Sequence, residues 1–123
     1  GVPFDAASFD GVSLLPLMER GEAPTRDAIY FHYPHYSYHG KNHMGSVIRR
    51  GDLKYIHHYD DDDHELYDLG VDIGERSNLV AARPREAAEL RRALMAWLHH
   101  VDAALPRRYV DIPAGELPGD KRR

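Results

Sequence analysis

From Pro84 to about Leu105 the apolar residues Ala87, Leu90, Leu94, Trp97, Leu98, Val101 and Leu105 recur at spacings of three and four. On a helix of 3.6 residues per turn they form one stripe, while Arg85, Glu89, Arg92, His99 and Asp102 fall largely elsewhere. One amphipathic helix cannot bury its stripe against itself. The rest of the chain must present an apolar surface to cover it, and that requirement narrows the fold more than any other feature. Pro84 suits the first helical position, where its missing N–H has no helical partner to lose, and Pro106 is expected to end the helix. Trp97, the single tryptophan, is expected to be the largest buried group on the stripe.

The surface is legible upstream. Ala28 to Tyr33 is rich in β-branched and aromatic residues and reads as a strand closed by Pro34. Ser46 to Arg50 and Leu53 to Tyr59 are two further strands, with Gly51-Asp52 between them as a two-residue hairpin turn. Glu65 to Leu69 reads as a fourth, beyond the acidic run Asp60 to Asp63, and Asp72-Ile73-Gly74-Glu75 breaks the pattern. The expected fold is α+β: a small four-stranded antiparallel sheet with a long C-terminal amphipathic helix packed on one face. Before the sheet, Ser13 is expected to cap a short helix through Leu14, Leu15, Leu17 and Met18 that stops at Gly21. Residues 1–12 read as a linker, 13–105 as the folded unit, and 106–123 as an extended or disordered tail.

A chain of 123 residues fits one domain. Its formal charge of −4 gives no support for nucleic-acid binding. Cysteine is absent, which excludes disulfides, thiolate metal sites, Fe–S clusters and a cysteine nucleophile. No apolar run approaches the roughly 20 residues of a membrane span. The first residue is Gly and not Met, which reads as a piece excised from a longer parent. No nucleophile elbow, phosphate loop, zinc-protease helix or paired-carboxylate motif is present, and Ser8, Ser13, Ser37, Ser46 and Ser77 lack an activating context. No catalytic residue is assigned.

What chemistry the chain holds lies in nine histidines and eight tyrosines, densest from Phe31 to His43. Imidazoles there can serve as ligands, acid–base groups or donors to an anion, and His32 and His35 straddle Pro34 where a strand gives way to a loop. The competing reading is an aromatic loop that packs on a neighbouring surface with its polar tips in water. His57 and His58 are adjacent in a strand and point to opposite faces, so at most one joins any given site. Asp60 to Asp63 lacks the spacing and glycine of an EF-hand loop and reads as a solvated turn. His99 and His100 suit the negative end of the helix dipole. The imidazoles are scattered over loop, strand and helix, and no metal is assigned.

The order of the segments says more than any one of them. Asp10-Gly11-Val12-Ser13-Leu14-Leu15-Pro16-Leu17 is followed by Arg26-Asp27-Ala28-Ile29-Tyr30, His32-Tyr33-Pro34-His35, and the run from Ser46 through Arg49-Arg50-Gly51-Asp52 to Ile56. Then come Glu65-Leu66-Tyr67-Asp68-Leu69, Asp72-Ile73-Gly74-Glu75, Asn78-Leu79 and the Pro84 helix. Over about residues 9 to 105 this order resembles the C-terminal subdomain of the type I sulfatase family, in the alkaline-phosphatase-like superfamily. One departure is Ile73-Gly74, where the family commonly has Pro and a variable residue before Glu.

The resemblance implies a sulfuric ester hydrolase as parent, with this unit docked on a catalytic domain of the same chain and forming part of the substrate cleft wall. It implies that calcium and a formylglycine belong to the parent's catalytic domain, with no cofactor in this piece, which is expected to be inactive alone. It points to His32 and His35, with Tyr33 and Lys41 behind them, as candidates to contact a sulfated small molecule or saccharide. It also implies a periplasmic, secreted or lysosomal parent. The alternative is a stand-alone His-rich metal- or ligand-binding module, which would have no need of the motif order outside the His loop.

Overall fold

The computed structural model describes residues 5, 11–35, 43–60 and 62–106. Along the chain come α1 (Leu15–Arg20), β1 (Ile29–Tyr33), β2 (Gly45–Arg50), β3 (Leu53–His58), β4 (His64–Asp68) and α2 (Pro84–His100). The four strands form one antiparallel sheet in the order β1-β2-β3-β4, and α2 packs on it. The α+β architecture is the one the helix stripe demanded.

The sheet has two different faces because side chains alternate along each strand. The helix-covered face carries an apolar row across all four strands, Tyr30, Ile48, Tyr55 and Leu66, placed side by side by the register. Ile48, Tyr55 and Leu66 are buried against Ala87, Leu90, Leu94 and Leu98 of α2. One row along, the same face carries His32, Ser46, His57 and His64.

Gly51 opens the β2–β3 turn at φ 58°, a conformation that costs glycine little, and Arg50 pairs directly with Leu53 across it. The free edge of β4 is covered by one side chain. Asn78 Oδ1 accepts from the Leu66 and Val80 N–H groups, Asn78 Nδ2 donates to the His64 carbonyl, and the Leu79 N–H donates to the Leu66 carbonyl. This blunts an edge that would otherwise offer unpaired backbone groups.

Three expectations change. Trp97 is only partly buried: it stacks on Tyr30 at a centroid distance of 4.6 Å and 6° between planes, while Tyr55 is the largest fully buried side chain. The reason is angular, since Leu90, Leu94 and Leu98 point straight at the sheet and Trp97 lies on the flank of the stripe. Second, α2 ends at His100, well before Pro106. Asp102 takes a left-handed φ of 49°, its N–H donates to the His99 carbonyl, and the Ala103 N–H donates to the Leu98 carbonyl. These paired bonds are a Schellman closure, so Val101 and Leu105 leave the stripe and are exposed. Third, Leu14 and not Ser13 is the cap residue of α1, although Ser13 Oγ accepts from the Leu15 N–H. The stop at Gly21 stands, at φ 68°.

Candidate functional site

Among the described residues, His32, His35, His43, His57, His58 and His64 lie toward the end of the sheet where Tyr33, Gly45, His58 and His64 sit, on both faces. On the helix-covered face Ser46 is fully buried and bridges two groups: its Oγ is 2.7 Å from His32 Nδ1 and 2.7 Å from the Tyr59 hydroxyl. His32 Nε2 lies 2.9 Å from the Ala104 carbonyl, which only accepts. The neutral ring therefore carries its proton on Nε2, and the chain runs Tyr59 O–H to Ser46 Oγ, Ser46 O–H to His32 Nδ1, His32 Nε2–H to Ala104 O. Burial raises the Tyr59 pKa, which keeps it a donor. Both ring nitrogens of His32 are thus used inside the domain, tying β1 to the segment after α2.

Farther along that row, His57 Nδ1 is 3.1 Å from His64 Nδ1, and their rings stack at 5.0 Å and 20°. The Tyr55 hydroxyl is 3.1 Å from the same His64 nitrogen. His57 is 6% exposed, and burial, then the neighbouring His64, lower its pKa. Burial pushes the Tyr55 phenol up to about 12. Asp62, at a left-handed φ of 54°, brings Oδ1 to 3.8 Å from His57 Nδ1 and from His64 Nε2.

The opposite face is open beside β1. Ile29, Phe31 and Tyr33 alternate onto it and are exposed, Phe31 by 60%. Tyr33 and His35 lie against each other with ring centroids 4.5 Å apart, tilted by 53°. In the register Tyr33 pairs with Gly45 and Gly45 with His58, so the strand between the two side chains has none of its own. A Cβ at Gly45 would stand 3.1 Å from the His57 carbonyl and 3.7 Å from His58 Nδ1. His58 Nε2 is 3.0 Å from Glu65, His43 packs edge-on against His58 at 5.6 Å, and His43 is 3.4 Å from Asp60. Toward β4, Lys54 Nζ donates to both Glu75 oxygens at 2.8 Å and ties the 70–76 segment to this face, where Tyr67 is buried.

Of the four candidates, then, Tyr33 and His35 share the open face, His32 lies on the covered one, and Lys41 is outside the described residues, as are Phe4, Phe9, Tyr36 and Asp61. Two site features escaped the sequence. The first is His43 and His58 beside Tyr33, which only the β1–β2–β3 register brings to one end. The second lies beside the acidic turn, whose Asp60, Asp62 and Asp63 are exposed as the sequence implied. His57 and His64 face each other across β3 and β4, and the turn aims Asp62 at them. The signal available was a histidine at each end of one short β-hairpin connection.

The chain matches the family model described as N-sulphoglucosamine sulphohydrolase, C-terminal, over residues 2–104. It is 38% identical over 132 aligned positions to an N-acetylglucosamine-6-O-sulfatase of Bacteroides thetaiotaomicron, covering 98% of this chain and 22% of that protein. A sulfatase of Formosa agariphila is 34% identical over 102 positions, 72% of this chain and 18% of that protein. Among solved structures, a 2-O GAG sulfatase superposes with a TM-score of 0.67 at 27% identity, over 83% of this chain and 22% of that one. A second, solved in complex with its substrate D-glucosamine-2-N,6-O-disulfate, gives 0.64 at 31% identity, over 83% and 21%. The chain spans about a fifth of the length of these relatives.

Proposed function

This chain belongs to the N-sulphoglucosamine sulphohydrolase C-terminal family, and on that premise we propose that it is the part of a sulfatase that docks on the catalytic domain and walls the substrate cleft. The observation that carries the reading is the unpaired face. α1 buries none of its residues, Leu14, Leu15, Leu17 and Met18 are exposed, Ile29, Phe31 and Tyr33 are exposed along β1, and Leu14 and Ile29 line one cleft. An unattached domain rarely leaves so many large apolar groups in water. A catalytic domain of the same parent is the occupant we assign to it.

At the histidine end of this face, Tyr33 and His35 are the groups we assign to substrate, with His32 as the residue that fixes their strand. A tyrosine ring offers a face on which a sugar can stack, and Tyr33 is exposed on this face. Protonated imidazoles, with Lys41 in support, suit a sulfated saccharide electrostatically. The disulfated glucosamine bound by the structural neighbour is the substrate class we carry over.

Ester cleavage falls to the rest of the parent. This chain has no cysteine, and none of its serines begins a Ser-x-Pro-x-Arg sequence, so it holds no residue that fits the formylglycine implied for the family. The test is steady-state kinetics on the intact parent. His35→Ala and Tyr33→Ala should lower kcat/KM on a sulfated saccharide roughly tenfold or more, as loss of a charge-assisted or stacking contact does. A small aryl sulfate should be affected far less, with calcium content and formylglycine unchanged. Equal losses on both substrates, or none on either, would remove these residues from the cleft.

A further inference from the structure

Independently of the sulfatase reading, one cluster of three ligand-type side chains among the described residues remains unassigned. His57, Asp62 and His64 each bring one donor atom to within 4.8 Å of the others. The two Nδ1 atoms are 3.1 Å apart, and Asp62 Oδ1 is 3.8 Å from His57 Nδ1. Donor atoms held at about 2.0–2.1 Å around a tetrahedral zinc ion lie about 3.3 Å from one another. The facing imidazole nitrogens are therefore at ligand spacing; Asp62 Oδ1 is about half an ångström too far from His57 Nδ1, and on His64 it approaches Nε2, at 3.8 Å, and not the Nδ1 that faces His57, so the turn or the His64 ring must shift for all three to share one ion. Asp62 sits on an exposed turn able to close that gap.

We propose that His57, Asp62 and His64 form a site for one zinc-type transition-metal dication, completed by water or the Tyr55 hydroxyl. Three observations support it. The β3–β4 ladder pairs His57 directly with His64, so backbone hydrogen bonds, and not side-chain chance, fix the separation. Asn78 holds the His64 carbonyl, and Asp63 accepts from the His64 N–H, so the second ligand is anchored from both sides of its peptide. Asp62 is turned back toward the pair by its left-handed backbone. Two nitrogen donors with one carboxylate select zinc, cobalt, nickel or copper over calcium or magnesium, which prefer all-oxygen shells. The Arg91 guanidinium acts on both His57 and Tyr55 from α2 and opposes a dication, and Asp62 offsets it.

The alternative occupant of the gap is a proton shared between the two Nδ1 atoms, and metal titration separates the two. The 123-residue chain, stripped with chelator, is titrated at pH 7.5 with Zn²⁺ by calorimetry and with Co²⁺ by visible absorption. The expected result is one equivalent bound, with the intense bands of four-coordinate cobalt. Asp62→Asn and His64→Ala should each weaken binding by at least the 10–100-fold that loss of an outer-shell partner causes, and Arg91→Ala should tighten it. His57 is too buried to serve as the deciding variant. If His64→Ala fails to fold by circular dichroism, Asp62→Asn on its exposed turn decides. Failure of the wild-type chain to bind one equivalent, or an unchanged affinity in a folded Asp62→Asn, would overturn the site.

Discussion

Ser46 is the smallest side chain of the buried polar row and the one on which two others depend. Removing its hydroxyl leaves His32 Nδ1 and the Tyr59 hydroxyl without their partner in a dry place. Ser46→Ala should cost about 1–3 kcal/mol in urea unfolding, the penalty of stranded buried polar groups. The aromatic flank behaves differently. Leu94 is fully buried and Trp97 is not, so Leu94→Ala should cost about 2–5 kcal/mol. Trp97→Phe, which keeps a ring over Tyr30, should cost less than about 1.5 kcal/mol, the scale of an aromatic pair. The reverse ranking would move the centre of the core toward the tryptophan. Glu86 supplies a pH test. Its bonds to Arg83 hold its pKa below the usual carboxylate value. A depressed carboxyl contributes stability above about pH 4.5 and loses it as pH falls through the folded value. Glu86→Gln should therefore flatten the acid limb of the stability curve measured by denaturant midpoint.

At the scale of elements, the two most informative features are ends and edges. Asp102 closes α2 in a left-handed conformation that glycine adopts more easily. Asp102→Gly should raise stability by about 0.5–1 kcal/mol, and thermal unfolding would show it as a higher midpoint. The β4 edge rests on Asn78, whose amide satisfies one carbonyl and two N–H groups. Asn78→Ala should cost about 1–3 kcal/mol and speed amide exchange at Leu66 ahead of the β2–β3 ladder. Exchange that stayed slow at Leu66 would show the edge to be held by Leu79 alone. α1 contributes little to this account, because none of its side chains is buried.

For the molecule as a whole, the question is which surface meets the rest of the parent. The face that carries Ile29, Phe31 and Tyr33, with the exposed leucines of α1, is the one assigned to the catalytic domain. Phe31→Lys should leave the isolated chain folded and lower its tendency to self-associate by light scattering. In the intact parent the same change should separate the two units, seen as earlier protease cleavage between them. A parent indifferent to Phe31→Lys would place the interface elsewhere. The isolated chain should release no phenol from an aryl sulfate with calcium present, and turnover surviving repurification would contradict the division of labour proposed above.

Periodicity determined much by itself. Ala87, Leu90, Leu94 and Leu98 could be assigned to the helix core from spacing alone, and Gly51-Asp52 to a hairpin turn, because burial and turn geometry act on residues close in sequence. The same rule placed four strands within a residue or two of their observed ends. What stayed hidden is one local choice of helix ending and two meetings of residues from different elements. That α2 stops at His100 follows from where Asp102 and Ala103 find carbonyls, not from Pro106. That His32 turns inward while Tyr33 and His35 face outward follows from strand parity against α2, beyond whose end the Ala104 carbonyl, 72 residues from His32, accepts a hydrogen bond from the imidazole. And His57, Asp62 and His64 converge only because β3 and β4 pair in one register. A sequence specifies which face each side chain takes along its own element. The docking of elements decides which of those side chains meet, since that is set by the packing of the whole sheet against its helix.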